Sequence, residues 1–426
     1  MRVARGLCSL LDMRLCSPDQ CTARCPVASV TQTGTPAMIG GPARRCRGVA
    51  DARRDVRRHA ARAHHPAGAH SAEQAGERTS VFSGRRAGPW GERKMTRSRT
   101  RVASLLALGF LAAPASAEIP DAPTLLAAVG LTPDQVEQVM SGQIVRGAIQ
   151  PASERELVSA AAFLVHTTPS QFAADLKAGL GTKIDPDTLA SGVFKGAGSA
   201  ADLAKLTLEP GAQKRAAAYT EATPGGDLNL STQEIASFNK LAGSDVPTVT
   251  AAVRSALLAR QTAYRQQGLA GIAPYALKSG SRSPADELRT ATQAAKGLQR
   301  YVPAAYQMLL DYPNSKPAGT EEVFRWAQIN AHGTPTLTLT HAAFIPDGNA
   351  WVVVQRMYYV STGFNSVQAI AALLPVQGGT VITYANRTST DQVAGFGGGT
   401  KRSIGGKLLA SQLETLFKKA QSATKK

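Results

Sequence analysis

The chain has 426 residues and a formal net charge of +18, a length that suggests two or three domains. The charge is unevenly spread: residues 1–94 hold 17 Lys/Arg and 7 Asp/Glu, residues 95–117 hold three Arg and no acid, and residues 118–426 hold 28 Lys/Arg against 23 Asp/Glu. All five cysteines (Cys8, Cys16, Cys21, Cys25, Cys46) lie in the first of these segments, which excludes a disulfide scaffold, a Cys-ligated zinc and a cysteine nucleophile from the rest; no apolar run approaches the ~18 residues of a membrane span.

Residues 95–117 have the three parts of a secretory signal peptide in order. Arg97, Arg99 and Arg101 form a positive n-region, Val102 to Ala113 an apolar h-region too short to span, and Ala115-Ser116-Ala117 a small-x-small cleavage box. The mature chain is therefore expected to begin at Glu118, and to be periplasmic or secreted. The 94 residues before the signal are rich in Arg, Gly, Ala and Pro, lack apolar periodicity and read as a disordered, non-native upstream extension, with translation starting at Met95. Arginine clusters such as Arg53-Arg54 and Arg57-Arg58 suit phosphates, but a nucleic-acid arm ahead of an export signal is inconsistent, so no nucleic-acid partner is expected. His59, His64, His65 and His70 fall in the same segment, and no metal or cofactor site is expected.

Residues 118–426 read as a single α+β domain, with a helical insertion over about 231–330. Thr132-Pro133-Asp134-Gln135 is a capping box with Pro at the first helical position, which predicts a helix to about Met140. Val145 to Ile149 reads as a strand. Glu156 to Thr167 is apolar and β-compatible, and Thr168 with Gln171 opens a helix ending near Gly179. Residues 180–230 carry no readable period, and Ser231 with Glu234 caps a further helix. Residues 245–311 read as helical: Val249, Val253, Leu257 and Leu258 keep a 3.6-residue period, broken near Gly268-Gly271. Ser283-Pro284 opens another helix through Leu288 and Leu298, Pro303 interrupts, and a segment carrying Met308 ends before Pro313. Glu321 and Glu322 suit the first turn of a short helix. The pattern then alternates. Thr334 to Ile345, Ala350 to Ser361, Phe364 to Val376 and Thr380 to Thr388 are predicted strands, with turns at Asp347-Gly348-Asn349 and Gly378-Gly379. Lys401 to about Gln421 is the clearest helix, with Ile404, Leu408, Leu409, Leu413, Leu416, Phe417 and Ala420 on one face.

An early strand followed at once by a capped helix, and antiparallel strands ending in a long amphipathic helix, resemble the START-like, or helix-grip, architecture. The string from Tyr358 to Arg402, with Tyr359-x-Ser361, Asn386-Arg387-Thr388 with Asp391, and Gly395-Phe396-Gly397 with Lys401-Arg402, is similar to the end of a family of uncharacterised exported bacterial proteins. The resemblance covers roughly residues 125–421 and is specific in about the last 60. It implies export, and an antiparallel sheet that grips the C-terminal helix and leaves an apolar cavity.

Familiar catalytic grammar is missing. There is no Gly-x-Ser-x-Gly elbow, no His-Glu-x-x-His and no dinucleotide fingerprint. Gly395 to Lys401 is glycine-rich, but Thr400 stands where a phosphate-binding loop requires glycine; a plain anion site with Lys401 and Arg402 is the alternative to a flexible connection. Arg387 and Asp391, four apart at a strand end, read as an ion pair closing a turn, with a carboxylate or phosphate binder as the alternative. His341 alternates with Leu337 and Leu339 and is expected to face the interior; His332 is nine residues away and no third ligand stands at metal spacing. The last 26 residues carry seven Lys/Arg and one Glu, which allows weak contact between the C-terminal helix and anionic membrane surfaces. These observations favour a non-enzymatic exported protein that binds a lipid or other amphipathic molecule in an apolar cavity. Trp351, Tyr359, Tyr384, Leu409 and His341 are the expected walls, and Arg387, Asp391, Lys401 and Arg402 the expected head-group contacts. A cell-envelope interaction protein and a hydrolase of no recognisable motif class are the alternatives.

Overall fold

The computed structural model describes residues 119–425 apart from His332 and Phe396. The proposed upstream extension, signal peptide and cleavage site therefore lie outside the described residues, as does His332.

Two short helices, α1 (Ala122–Ala128) and α2 (Pro133–Met140), precede β1 (Val145–Gly147) and β2 (Glu156–Val165). Then come α3 (Pro169–Lys177), α4 (Leu180–Ile184), β3 (Thr188–Val193), α5 (Ala212–Thr220), α6 (Thr232–Asn239) and the 22-residue α7 (Val246–Gln267). A small hairpin, β4 (Tyr275–Ala276) and β5 (Ser281–Arg282), separates α7 from α8 (Pro284–Gln293), α9 (Lys296–Tyr301) and α10 (Pro303–Asp311). Five long strands follow: β6 (Glu321–Ala331), β7 (Thr334–Asp347), β8 (Ala350–Val360), β9 (Ser366–Val376) and β10 (Gly379–Ser389). The helix α11 (Gly398–Thr424) closes the chain.

The start signals act as the sequence predicts. Thr132 and Ser231 form complete capping boxes; Thr168 and Ser283 each accept a backbone N–H three residues on, although the Gln171 side chain turns to Asp175 and leaves the box expected at Thr168 half formed, and Asp245, not singled out in the sequence, caps α7 in the same way.

The fold is α+β, as expected. Its centre is an eight-stranded sheet in the order β1-β2-β10-β9-β8-β7-β6-β3, antiparallel throughout. Strands β6 to β10 form a meander, joined by two-residue turns except for the five-residue link 361–365 between β8 and β9. Both faces of the sheet are covered, which explains why its central strands read as nearly continuous apolar runs. One face, carrying Ala162, Leu164, Ala343, Ile345, Val352, Val354, Leu374 and Val381, packs on α1, α2, α9 and α10. Toward β6 the same layer continues through Phe324, Trp326, Leu339 and Tyr358 onto α5 to α8. The other face, with Ala161, Phe163, Phe344, Val353, Leu373 and Ile382, packs on α3 and the end of α11.

Three expectations are corrected. Glu321 and Glu322 do not start a helix; they open β6, where alternation sends Glu321 toward Lys177 and Glu322 toward Lys316. The helix expected from 283 through Leu298 is two helices, and Pro303 begins α10 rather than interrupting one, because its missing N–H costs nothing at the first helical position. Residues 275–282, expected as helix, form the β4–β5 hairpin.

The C-terminal helix is longer than expected and packs chiefly on β2. Its 27 residues span about 40 Å. The Phe417 ring stacks on Phe163 at 4.5 Å and meets Tyr384 edge-on at 5.0 Å, so that part of the interface is filled by side chains. Toward the N-terminal end Leu408 and Leu409 are half-buried, and Ile404 is 50% exposed.

Candidate functional site

The sequence-selected residues fall on different sides of the sheet. Trp351 (half-buried), Tyr384 and Leu409 belong to the α3–α11 side. Tyr359 is buried on the α5–α8 side, beneath the Arg260 guanidinium at 4.2 Å from its ring, and Arg260 is paired with Glu234. They do not converge on one cavity. The head-group candidates do gather, around residues 150–156, but on protein partners. Arg387 pairs with buried Glu156 at 2.7 Å and donates to the Gln150 carbonyl. Asp391 accepts from Arg155 and Arg282, at 3.0 and 2.8 Å, so the expected Arg387–Asp391 pair does not form. Arg402 donates to the carbonyls of Glu154 and Val393, while Lys401 is exposed. His166 is exposed against the Gly378 carbonyl.

His341 faces the interior as its alternation requires, and it is the centre of the most unusual arrangement in the chain. The ring is 3% exposed. Its Nδ1 lies 3.0 Å from the hydroxyl of Tyr264 on α7, and its Nε2 lies 3.0 Å from Glu322 Oε1 on β6, off the line of a well-formed hydrogen bond. Phe324 stacks on one side of the ring at 4.5 Å; Tyr312 tilts against it at 4.8 Å. Arg356 of β8 stands directly opposite His341 in the β7–β8 ladder. Arg356 is 1% exposed and has no carboxylate partner among the described residues. It donates to Gln368 Oε1, the Leu309 carbonyl and the Thr292 hydroxyl instead. A buried cation without a counterion is costly unless its N–H groups are satisfied and opposite charge lies near. Arg356 also contacts the Tyr264 hydroxyl, which meets His341, and His341 in turn faces Glu322.

The electrostatics follow from burial and these partners. Burial pushes the His341 imidazole below its ordinary value, and Arg356 and Arg265 add to that, against the opposing pull of Glu322. His341 is thus neutral at pH 7; the tautomer that suits both neighbours has Nδ1 accepting from Tyr264 and the Nε2 proton toward Glu322. Burial opposes ionisation of Glu322, but contacts from His341 and Lys316 outweigh it and hold the carboxyl at about 2. Burial raises the phenols of Tyr264, Tyr312 and Tyr358.

Glu322 connects this interior to the surface. It lines an open cleft of about 340 Å³ at the β3–β6 end of the sheet. The cleft walls are Val193 at the end of β3 and Phe194 just after it, Val323 and Phe324 of β6, Arg265 at the end of α7, and Lys316 and Thr320 of the segment before β6. Lys316 Nζ reaches Glu322 Oε2 at 2.9 Å. Arg265 lies 4.5 Å above the Phe324 ring and donates to the Gly196 carbonyl. Two cations against one carboxylate give the cleft a net charge of +1.

Sequence reasoning found His341 and missed the rest. Glu322 was concealed by its neighbour Glu321, since an acid pair reads as helix capping until the strand is recognised. Arg356 had a signal: a lone cation inside the apolar run Ala350 to Val360. Tyr264, Arg265 and Lys316 lie 57 or more residues before Glu322 or in a connecting segment, and nothing local marks them. Among the described residues no cluster of three or more His, Asp or Glu is arranged to hold a metal. Comparison with protein-family models, curated proteins and solved structures finds no match to this chain.

Proposed function

We propose that the chain is an exported, non-catalytic binding protein for a singly charged amphipathic anion, taken up in the cleft between β3, β6 and the segment before β6. The observation that carries this reading is the lining of the cleft, where Arg265 and Lys316 join the apolar side chains of Val193, Phe194, Val323 and Phe324. A volume of about 340 Å³ lies at the lower end of small-molecule sites, and apolar walls with a few convergent polar groups are their usual composition. The anionic group would lie against Arg265 and Lys316, and its apolar body against Phe194. Glu322 keeps Lys316 in place and disfavours dianions. Export rests on the signal-peptide pattern of residues 95–117.

The test is titration with anilinonaphthalene sulfonate and with dodecanoate, by fluorescence and calorimetry. Arg265→Gln and Lys316→Gln should each weaken binding about tenfold, the loss of one charge-assisted contact of about 1.4 kcal/mol. Leu409→Trp, beneath α11, should leave it unchanged. Absence of saturable binding, or loss on Leu409→Trp but not on Arg265→Gln, defeats the reading; the second outcome moves the ligand to the space beneath α11.

A second reading concerns the outer face of α11. Lys401, Ile404, Lys407 and Lys418 are exposed along one side of the helix, and Glu414, the acid within this span, is turned toward Arg146 at 2.6 Å and Lys418 at 2.9 Å. Such a row suits weak, salt-sensitive contact with anionic lipid head groups. Flotation with vesicles of phosphatidylglycerol against phosphatidylcholine tests it, and equal recovery with both defeats it.

A further inference from the structure

Nine tyrosines are present; Tyr264 meets an imidazole with its hydroxyl, and its stacking neighbour Tyr312 contacts the Glu322 carboxylate. The hydroxyl of Tyr275 donates to the Asn365 carbonyl, and that of Tyr358 to the Gln261 side-chain oxygen. Tyr384 accepts from Asn386. Amides do not retain a proton. The hydroxyl of Tyr264 lies 3.0 Å from Nδ1 of an imidazole that is neutral and buried with it. On the far side of that imidazole Glu322 is placed to compensate a positive charge, 3.0 Å from Nε2. The Tyr264 ring is also stacked: Tyr358 lies parallel at 4.0 Å and 6°, and Tyr312 at 5.4 Å and 19°. Tyr312 is half-buried, so the stack leads from a fully enclosed phenol toward the surface.

We infer that Tyr264 is a redox-active tyrosine that gives up one electron and passes its phenolic proton to Nδ1 of His341. The ring electron leaves through Tyr312 to a soluble one-electron oxidant, which is reduced. The O–H bond of Tyr264 breaks, an N–H bond forms on His341, and a neutral phenoxyl radical remains beside an imidazolium. An oxidised phenol is a far stronger acid than the parent phenol, so even an imidazole weakened by burial accepts the proton. The imidazolium faces the Glu322 carboxylate in front. Arg356 of β8 stands across the ladder, Arg265 of α7 lies behind Phe324, Tyr312 stands beside it, and Lys316 shares Glu322. The three cations raise the cost of the new charge and Glu322 lowers it, so the proton shift is poised to reverse when the electron returns. The ligand reading of the cleft neither requires this step nor is required by it.

The experiment oxidises the purified full chain with hexachloroiridate(IV) and follows the product by freeze-quench electron paramagnetic resonance. A neutral tyrosyl signal is expected. The unaltered protein should show a hyperfine coupling from the imidazolium proton to the phenoxyl oxygen, replaced by a deuterium coupling after exchange into heavy water. Tyr264→Phe should remove the long-lived signal. His341→Asn, which accepts the hydrogen bond but cannot keep the proton, should shorten its lifetime by about 100-fold, the lower end of what a positioned proton acceptor contributes. Tyr312→Phe should slow formation without changing the spectrum. Circular dichroism of each variant establishes that it is folded. A tyrosyl signal undiminished in Tyr264→Phe, an unchanged lifetime in His341→Asn, or no exchangeable coupling in the unaltered protein overturns the inference.

Discussion

Gly192 offers a direct test of how β3 is held. It pairs with Trp326 of β6, and a Cβ at this position would stand 2.4, 2.7 and 2.9 Å from Nε1, Cε2 and Cζ2 of the indole. The ring is 1% exposed, and its N–H donates to the Asp202 carbonyl at 2.8 Å, so it cannot move aside without breaking that bond. Gly192→Ala therefore either tilts the indole or lifts β3 from β6. Overpacking of this kind costs about 1–3 kcal/mol, and the lost indole hydrogen bond adds about 1 kcal/mol. Replacing glycine by alanine returns about 0.5–1 kcal/mol through the narrower unfolded ensemble. The net expectation is about 2 kcal/mol of destabilisation, or a urea midpoint lower by about 0.7 M for a slope of about 3 kcal/mol/M. Gly181→Ala is the control, because its Cβ meets nothing within 4 Å. Val193 and Phe194 follow Gly192 into the cleft wall, so ligand binding should weaken in parallel. A midpoint for Gly192→Ala equal to that of Gly181→Ala would refute the steric argument.

The buried imidazole makes stability pH-dependent with a definite sign. In the unfolded chain His341 protonates near its ordinary value of 6.5, whereas the folded form resists; stability should hold above that value and fall as the pH drops below it, by at most about 1.4 kcal/mol per pH unit. Glu322, held at about 2 against an ordinary 4.5, adds a second loss only below pH 4.5. Urea melts between pH 7.5 and 5 should therefore steepen for the wild type and flatten for His341→Asn; parallel curves would contradict the assignment. Phe417→Ala removes the ring between Phe163 and Tyr384 and should cost about 3–5 kcal/mol, while half-buried Leu416→Ala should cost clearly less by the same melts. Arg387→Ala leaves Glu156, 3% exposed, as an unpaired buried carboxylate and should cost about 3–5 kcal/mol; adding Glu156→Gln should recover part of it, and strict additivity would rule out the pairing.

The elements most legible in the sequence are those whose stability is local. Thr132, Thr168, Ser231 and Ser283 announce their helices because a side-chain oxygen three residues from a backbone N–H is a short-range device. Strands β7, β8 and β10 are legible from alternation and β propensity, and their turns from Gly and Asn. Strand β3 is not: Thr188 to Val193 contains a glycine and an alanine, and pairing with β6 alone makes it a strand. The site is harder still. Alternation places His341 inward, but its partners come from positions 264, 312, 322 and 356, assembled by helix packing and sheet register that no local pattern encodes. Apolar residues in α11 mark a helix correctly and its burial incorrectly, because Ile404, Leu408 and Leu409 lie beyond the part of the interface that Phe417 fills.

Strand order also sets a timetable for synthesis. Strand β2 lies between β1 and β10, and its ladder joins Val165 to Thr380, 215 positions later (380 − 165). Its neighbour β1 is only three residues long. When β2 leaves the ribosome it has one short partner and an open edge, and this lasts until nearly the whole chain has been made. The β6–β10 meander, by contrast, pairs each strand with the one just completed. Pairing at long sequence separation is slow, and an uncovered apolar strand invites association with other chains. A nascent chain of this protein that has not yet produced β10 is therefore the species that most needs a chaperone, and β2 is the segment such a chaperone has to cover.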